Sequence, residues 1–318
     1  MVKCFVHLAY SNGCCSSFVK FLMEKEVETC QLSSLLFRGD SLASAVFSYY
    51  SRMVACHYLF KVLARTIQEL DFVSKEAQKQ TKQANTSLFA VQLEVDPGRL
   101  SNEEREDFDI DINAASLVLT CQKVYSAIAK NIDSIPIELK DLLSFVSQLV
   151  EKKFAAPDAT RVAVSNLFFL RFLCPTIVCP SICGILPEPP DKNLQRQLML
   201  ICKVIQAIAS GTIPGTRESY LDTITPWVAK TIPKMQALLS KLHAGRASQG
   251  REIQIPEPVR INNLVWILNR IKDPAKYSSL HKLLSECEDL SELLIALEAI
   301  QTAYSKKTRQ KVPKDRKA

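Results

Sequence analysis

The sequence predicts an all-α protein, and three observations carry that reading. Only 8 of its 318 residues are glycine, too few for the turns of a strand-rich or doubly wound fold. Long runs are built from Leu, Ala, Lys, Gln and Glu, residues that lose little on entering a helix. Apolar positions recur every three or four residues in segment after segment. At 47% apolar the composition is globular, and the length allows a large core.

Taken in order, MVKCFVHLAY opens with an apolar stretch too short and too broken for a signal peptide. Over residues 41–73, Leu42, Val46, Tyr49, Met53, Leu63, Ile67 and Leu70 keep helical spacing, with Leu59 out of step; Asp40 or Ser41 is placed to cap the start. Residues 74–109 are polar, with a turn signal at Asp96-Pro97-Gly98. Helical spacing resumes near Asn113 and stops before Ser134, and Pro136 opens another helix that runs through Phe154. Pro157-Asp158 is placed to cap an apolar helix that ends near Phe172, where Pro175 closes it and a second short helix follows. Residues 195–209 and 220–242 are predicted helices, the latter with Pro226 near its start and a kink at Pro233. After a loop at 244–258, two amphipathic helices are predicted through Val265 and Leu290. No repeat of fixed period occurs, which disfavours a regular solenoid.

Residues 164–186 are long and apolar enough to resemble a membrane span. Arg171 lies inside that stretch and Pro175 and Pro180 interrupt it, so it reads as core. The net charge of +7 is concentrated at the end: KKTRQKVPKDRKA, residues 306–318, holds seven basic residues and one acidic. The body is therefore nearly neutral, and no nucleic-acid partner is expected for it. The tail reads as a solvated, disordered end, with contact to an anionic membrane as the functional alternative. Eleven cysteines are scattered without a C-x-x-C pair, and the four histidines (His7, His57, His243, His281) do not cluster. No metal site is expected, and the thiols read as reduced, buried and cytosolic.

No self-contained active site stands out. SGTIPGT (210–216) has two glycines but neither the lysine nor the preceding strand of a phosphate-binding loop, and no nucleophile or metalloprotease motif occurs. One arginine is oddly placed. In LFRGDSLAS (36–44), Arg38 stands on a turn just before a helix start, between an apolar wall and a Gly-Asp pair. A second, Arg171, is embedded in LFFLRFL, where a charge is costly unless its donors are satisfied.

Four segments together resemble the Ras GTPase-activating domain, of the kind found in neurofibromin. LFRGDSLAS is similar to that family's finger loop, LEVDPGRL (93–100) to its mid-domain turn, FLRFLCPTIVCP (169–180) to its FLR-x-x-x-P signature, and CKVIQAIAS (202–210) to its lysine-bearing helix. They occur in the family's order, and the resemblance spans roughly residues 20–245. It implies an irregular, elongated all-α fold over residues 1–305, with a shallow groove beside the finger loop. It implies an activator of a GTP-bound Ras-family GTPase; the chain is expected to act as a monomer in the cytoplasm, with the basic tail as its route to the membrane surface in the alternative reading of that tail. Mg and GTP would belong to the partner, so the chain needs no cofactor of its own.

By the same resemblance Arg38 is the arginine finger. It is supplied in trans to neutralise charge on the transferring phosphoryl group, a task to which a planar guanidinium is suited and an ammonium is not. Phe37 and Gly39 shape the loop, with Gly39 allowing close backbone approach, and Arg171 braces it through hydrogen bonds. Leu170 contacts the GTPase switch region; Lys203, Gln206 and Arg217 hold the groove and the partner. The chain departs from the family at Ser210, where asparagine is common, and at Met199, where one member has a groove lysine. Both positions bear on partner choice rather than on the finger. The alternative reading is a catalytically silent scaffold of the same fold that binds GTPases without accelerating them.

Overall fold

Every regular element among the described residues is helical, and no strand occurs there. The computed structural model describes residues 2–84, 93–100, 108–156, 158–214 and 216–242. The helices predicted through Val265 and Leu290, the loop at 244–258 and the basic tail lie outside the described residues. The chain divides into two compact units, one holding Met1–Lys25 and one spanning Glu26–Gly250.

In the first unit, α1 (Val2–Ser11) buries Phe5, Val6, Leu8 and Ala9 along one stripe. Gly13, at φ 72°, reverses the chain into α2 (Cys15–Thr29), and the Phe5 and Phe18 rings meet with centroids 6.4 Å apart.

The second unit begins in the last turn of α2. Lys153 closes that helix end, its Nζ donating to the carbonyls of Val27, Glu28 and Cys30 at 2.6–2.7 Å. Helix α3 (Leu42–Ala84) runs well past Val73 and is bent at Ala55, where φ is −121° and ψ 20°. The bend falls between Met53 and Leu59, where the apolar spacing slips. Before it the large buried side chains are Val46, Phe47 and Tyr50; after it, Tyr58, Leu59, Val62, Leu63 and Ile67. Two stripes of different phase thus face one core because the backbone changes direction between them.

Helix α4 (Ile110–Lys130) starts ahead of Asn113 because the Asp109 carboxylate accepts from the N–H groups of Asp111 and Ile112. Helix α5 (Ile137–Lys153) has Pro136 at its N-cap. A continuous rod follows: α6 (Ala159–Ser165), a π-helical segment (Asn166–Leu173) and α7 (Cys174–Val178). Pro175 therefore does not end the helix at Phe172. The wide π turn leaves it in the first turn of α7, where a missing N–H costs least, and the rod ends at Cys179. Helix α8 (Lys192–Ser210) begins three residues earlier than its apolar spacing, because Asp191 caps it by accepting from the Leu194 N–H at 2.8 Å. Gly211, at φ 72°, terminates it. A 3-10 turn (Thr216–Ile224) leads into α9 (Thr225–Leu242), which contains Pro233.

The π segment and α8 form the middle of this unit: the π segment packs on α3 and α8, and α8 also meets α4, α7 and α9. Phe168, Phe169 and Phe172 are fully buried, with Tyr58 from α3 stacked on Phe172 at 6.3 Å. Residues 159–178 are long and apolar enough to cross a membrane, but two thirds of that window is buried within the protein. The LEVDPGRL turn is tied to α8 by an ion pair: Arg196 donates to both Glu94 carboxylate oxygens at 2.7 and 2.8 Å.

Candidate functional site: an exposed arginine on a braced loop

The loop lies between a 3-10 turn (Ser33–Leu35) and the start of α3. Leu36 and Phe37 are fully buried and anchor it; Arg38, Gly39 and Asp40 are exposed. The Arg38 side chain makes no hydrogen bond among the described residues, while its N–H donates to the Leu35 carbonyl at 3.1 Å. Ser41, rather than Asp40, caps α3. Its hydroxyl accepts from the Ser44 N–H and the Ser44 hydroxyl accepts from the Ser41 N–H, both at 3.0 Å, a reciprocal capping box.

Arg171 reaches this loop from the π segment. Its Nε donates to the Phe37 carbonyl at 2.7 Å and its Nη2 to the carbonyls of Arg38, at 2.5 Å, and Gly39. Nη1 pairs with Asp40 at 3.2 Å. The Arg171 side chain is only 15% exposed, whereas Asp40 is fully exposed, so the carbonyls and not the surface ion pair satisfy the guanidinium. The extra residue of a π turn rotates the side chains that follow it, and Arg171 stands within that segment.

Other contacts complete the frame. Asn166 Nδ2 donates to the Leu36 carbonyl at 2.8 Å, the Ser44 hydroxyl to the Gly39 carbonyl at 3.0 Å, and the Ser48 hydroxyl to the Arg171 carbonyl at 2.5 Å. Glu26 takes the Phe37 N–H on Oε1 at 3.0 Å and the Ser41 hydroxyl on Oε2. Burial raises the Glu26 carboxyl above its ordinary range, against these hydrogen bonds and the Arg171 charge, which lower it. Sequence reasoning missed Glu26, Asn166, Ser44 and Ser48. None carries a local signal beyond Ser44 standing three residues after Ser41.

Glycine at position 39 is not required by this chain. Gly39 does not have positive φ, and a Cβ there would meet nothing within 4 Å. The left-handed residue is Phe37, two positions earlier, at φ 56°, unique among the described non-glycine residues.

The remaining candidates lie on or after α8 and in the π segment. Leu170 is half-buried beside Arg171, and Leu32 and Leu35, ahead of the loop, are 59% and 54% exposed. Lys203 is engaged within the chain: its Nζ donates to Glu218 Oε1 at 2.7 Å and to the Tyr220 hydroxyl at 2.8 Å. Partial burial lowers its pKa, but these two contacts outweigh burial and leave it raised. Gln206 is half-buried, and no hydrogen bond joins it or Lys203 to the loop among the described residues. Met199 is 41% exposed, and the Ser210 hydroxyl turns back to the Gln206 and Ala207 carbonyls. The backbone of Arg217 lies in the 3-10 turn Thr216–Ile224; its side chain lies outside the described residues.

An all-helical unit thus presents one exposed arginine on a loop that is tied down from a distant helix. A comparison with known families places the chain. Residues 18–210, more than half of the chain, match the RasGAP family, described as GTPase-activator protein for Ras-like GTPase. The chain belongs to that family. It is 28% identical over 287 residues to Disabled homolog 2-interacting protein of Mus musculus, covering 90% of this chain and 21% of the relative. It is 27% identical to Ras GTPase-activating protein nGAP of Homo sapiens, covering 88% of this chain and 22% of the relative. With Ras GTPase-activating protein gap-2 of Caenorhabditis elegans the figures are 28% identity, 74% of this chain and 18% of the relative. The chain thus spans about a fifth of the length of these relatives.

Proposed function

We propose that this chain accelerates GTP hydrolysis by a GTP-bound Ras-type GTPase, with Arg38 inserted as an arginine finger. The observation that carries the reading is an exposed Arg38 side chain, without a hydrogen bond among the described residues, on a loop whose three carbonyls, at residues 37, 38 and 39, are all held by Arg171. A loop fixed at its backbone leaves one side chain to move, so the entropy of placing it is largely spent before the partner arrives. The guanidinium then offers fixed donors to oxygens on which charge develops during phosphoryl transfer. The established gain from such an arginine is on the order of 10³–10⁵ in rate.

Mg and GTP belong to the partner, and the chain supplies no nucleophile or general base. Exposed Leu32 and Leu35 and half-buried Leu170 flank Arg38 and suit an apolar partner surface. Lys203 and Gln206 extend the same binding role along α8, with the Lys203 ammonium exchanging Glu218 for a partner carboxylate, and Arg217 joins them. The chain acts as a monomer in the cytoplasm, and its basic tail recruits it to anionic membrane.

The test is single-turnover GTP hydrolysis by a panel of Ras-type GTPases with and without this chain, beside a binding measurement on the same panel. Binding without acceleration would instead establish a silent scaffold, and neither binding nor acceleration would end the GTPase reading.

A further inference from the structure

A large side chain in the left-handed region persists only where its surroundings over-determine it. Phe37 is such a residue, with φ 56° and its ring fully buried, immediately before Arg38. Arg171 and Asn166 account for the carbonyl side of the loop, from Leu36 to Gly39. They leave the N–H of Phe37 to be satisfied from elsewhere. A buried N–H without a partner would drive the peptide to rotate, and that rotation would carry Arg38 with it.

Glu26 supplies the partner. It stands eleven residues before Phe37, in the last turn of α2, and its two oxygens take two different donors: the Phe37 N–H and the Ser41 hydroxyl that caps α3. One carboxylate therefore joins the residue before Arg38 to the residue at which the following helix begins. A carboxylate suits the task because it accepts at both oxygens and donates at neither, so both loop donors find acceptors without a competing proton. Arg171 is the charged group that bears on it.

We propose that Glu26 is a positioning residue for Arg38, locking the left-handed Phe37 peptide and thereby setting the direction in which the arginine leaves the loop. The role rests on reading Arg38 as the catalytic arginine.

The test uses the whole chain and a GTP-loaded Ras-type GTPase. Single-turnover hydrolysis at rising activator concentration separates the maximal rate from the half-saturating concentration. Glu26→Ala lowers the maximal rate on the order of 10- to 100-fold, the cost of misplacing a catalytic group by about an ångström. The half-saturating concentration moves by less than about threefold, since the partner-facing side chains are unchanged. Glu26→Gln, which keeps one acceptor for the Phe37 N–H but turns a donor instead of an acceptor toward Ser41, recovers part of the rate. Glu26→Ala adds no further loss to Arg38→Ala. Should Glu26→Ala melt too low to assay, Glu26→Asp serves in its place, because it keeps the charge but is too short to span both donors. Full maximal rate in the alanine or aspartate variant, a glutamine variant as poor as alanine, or additive losses with Arg38→Ala would each overturn the role. If the wild-type chain accelerates no GTPase, the proposed function itself has failed. If it does and Glu26→Ala matches it, the Glu26 role alone has failed.

Discussion

Arg171 Nη2 lies 2.5 Å from the carbonyl oxygen of Arg38, across 133 residues of sequence. One arginine is held by its side chain so that the other is held only by its backbone. The charge that would be costly in the apolar LFFLRFL segment is satisfied by the carbonyls of that loop.

Arg38→Ala abolishes most activation and leaves partner binding largely intact, because the guanidinium acts on charge that exists only in the transition state. The expected loss is on the order of 10³ in single-turnover rate. Arg38→Lys recovers a small part of it. A variant lacking Arg38 that kept more than about a tenth of wild-type activation would show that another group supplies the charge.

Arg171→Ala lowers activation by less than Arg38→Ala, since the finger survives but its loop is unbraced. It also costs about 1–3 kcal/mol of stability for the carbonyls left unpaired. In a double-mutant cycle the combined variant resembles Arg38→Ala alone. Additive losses would place Arg171 in direct contact with the GTPase.

Arg196→Ala removes the two guanidinium hydrogen bonds from a Glu94 side chain that is 7% exposed, leaving its Oε1 only the N–H groups of Val95 and Asp96. Breaking a buried pair from one side costs about 3–5 kcal/mol, which denaturant unfolding reads directly. Replacing both partners by apolar residues of similar size costs less, because no buried charge is then orphaned.

Glu26 sets a pH dependence whose sign follows from its raised pKa. A carboxyl that holds its proton more tightly when folded contributes stability that is fully present below the ordinary glutamate value of 4.5 and lost as pH rises through the higher folded value. Glu26→Gln removes that ionisation. The wild-type melting temperature therefore gains on the glutamine variant as pH falls from 7 toward 4.5. A difference that stays constant over that range, or shrinks in the opposite sense, contradicts the assignment.

Deleting residues 306–318 leaves activity in solution unchanged and weakens binding to anionic vesicles, at about 1 kcal/mol per basic residue near the surface. Loss of activity in solution on truncation would make the tail part of the domain.

What the sequence determined by itself is the part that local chemistry controls. Sparse glycine, helix-forming runs and three-to-four spacing specify helices because hydrogen bonds and side-chain entropy within a helix are satisfied by neighbours in the chain. Even the slip at Leu59 was visible, although only the backbone at Ala55 shows it to be a bend. Arg38 and Arg171 were each conspicuous as charges in the wrong company. The tertiary structure decided everything that depends on groups far apart in sequence. Lys203, expected by resemblance to hold the groove and the partner, is paired within the chain with Glu218 and Tyr220. Pro175, a stop signal by local rules, continues a rod because a π turn precedes it. The left-handed residue of the loop is Phe37 and not Gly39, and its N–H is taken by Glu26 while its carbonyl accepts from Arg171. A hydrogen bond between residues eleven or 134 positions apart leaves no periodicity to read; only packing of the helices that carry them brings donor to acceptor.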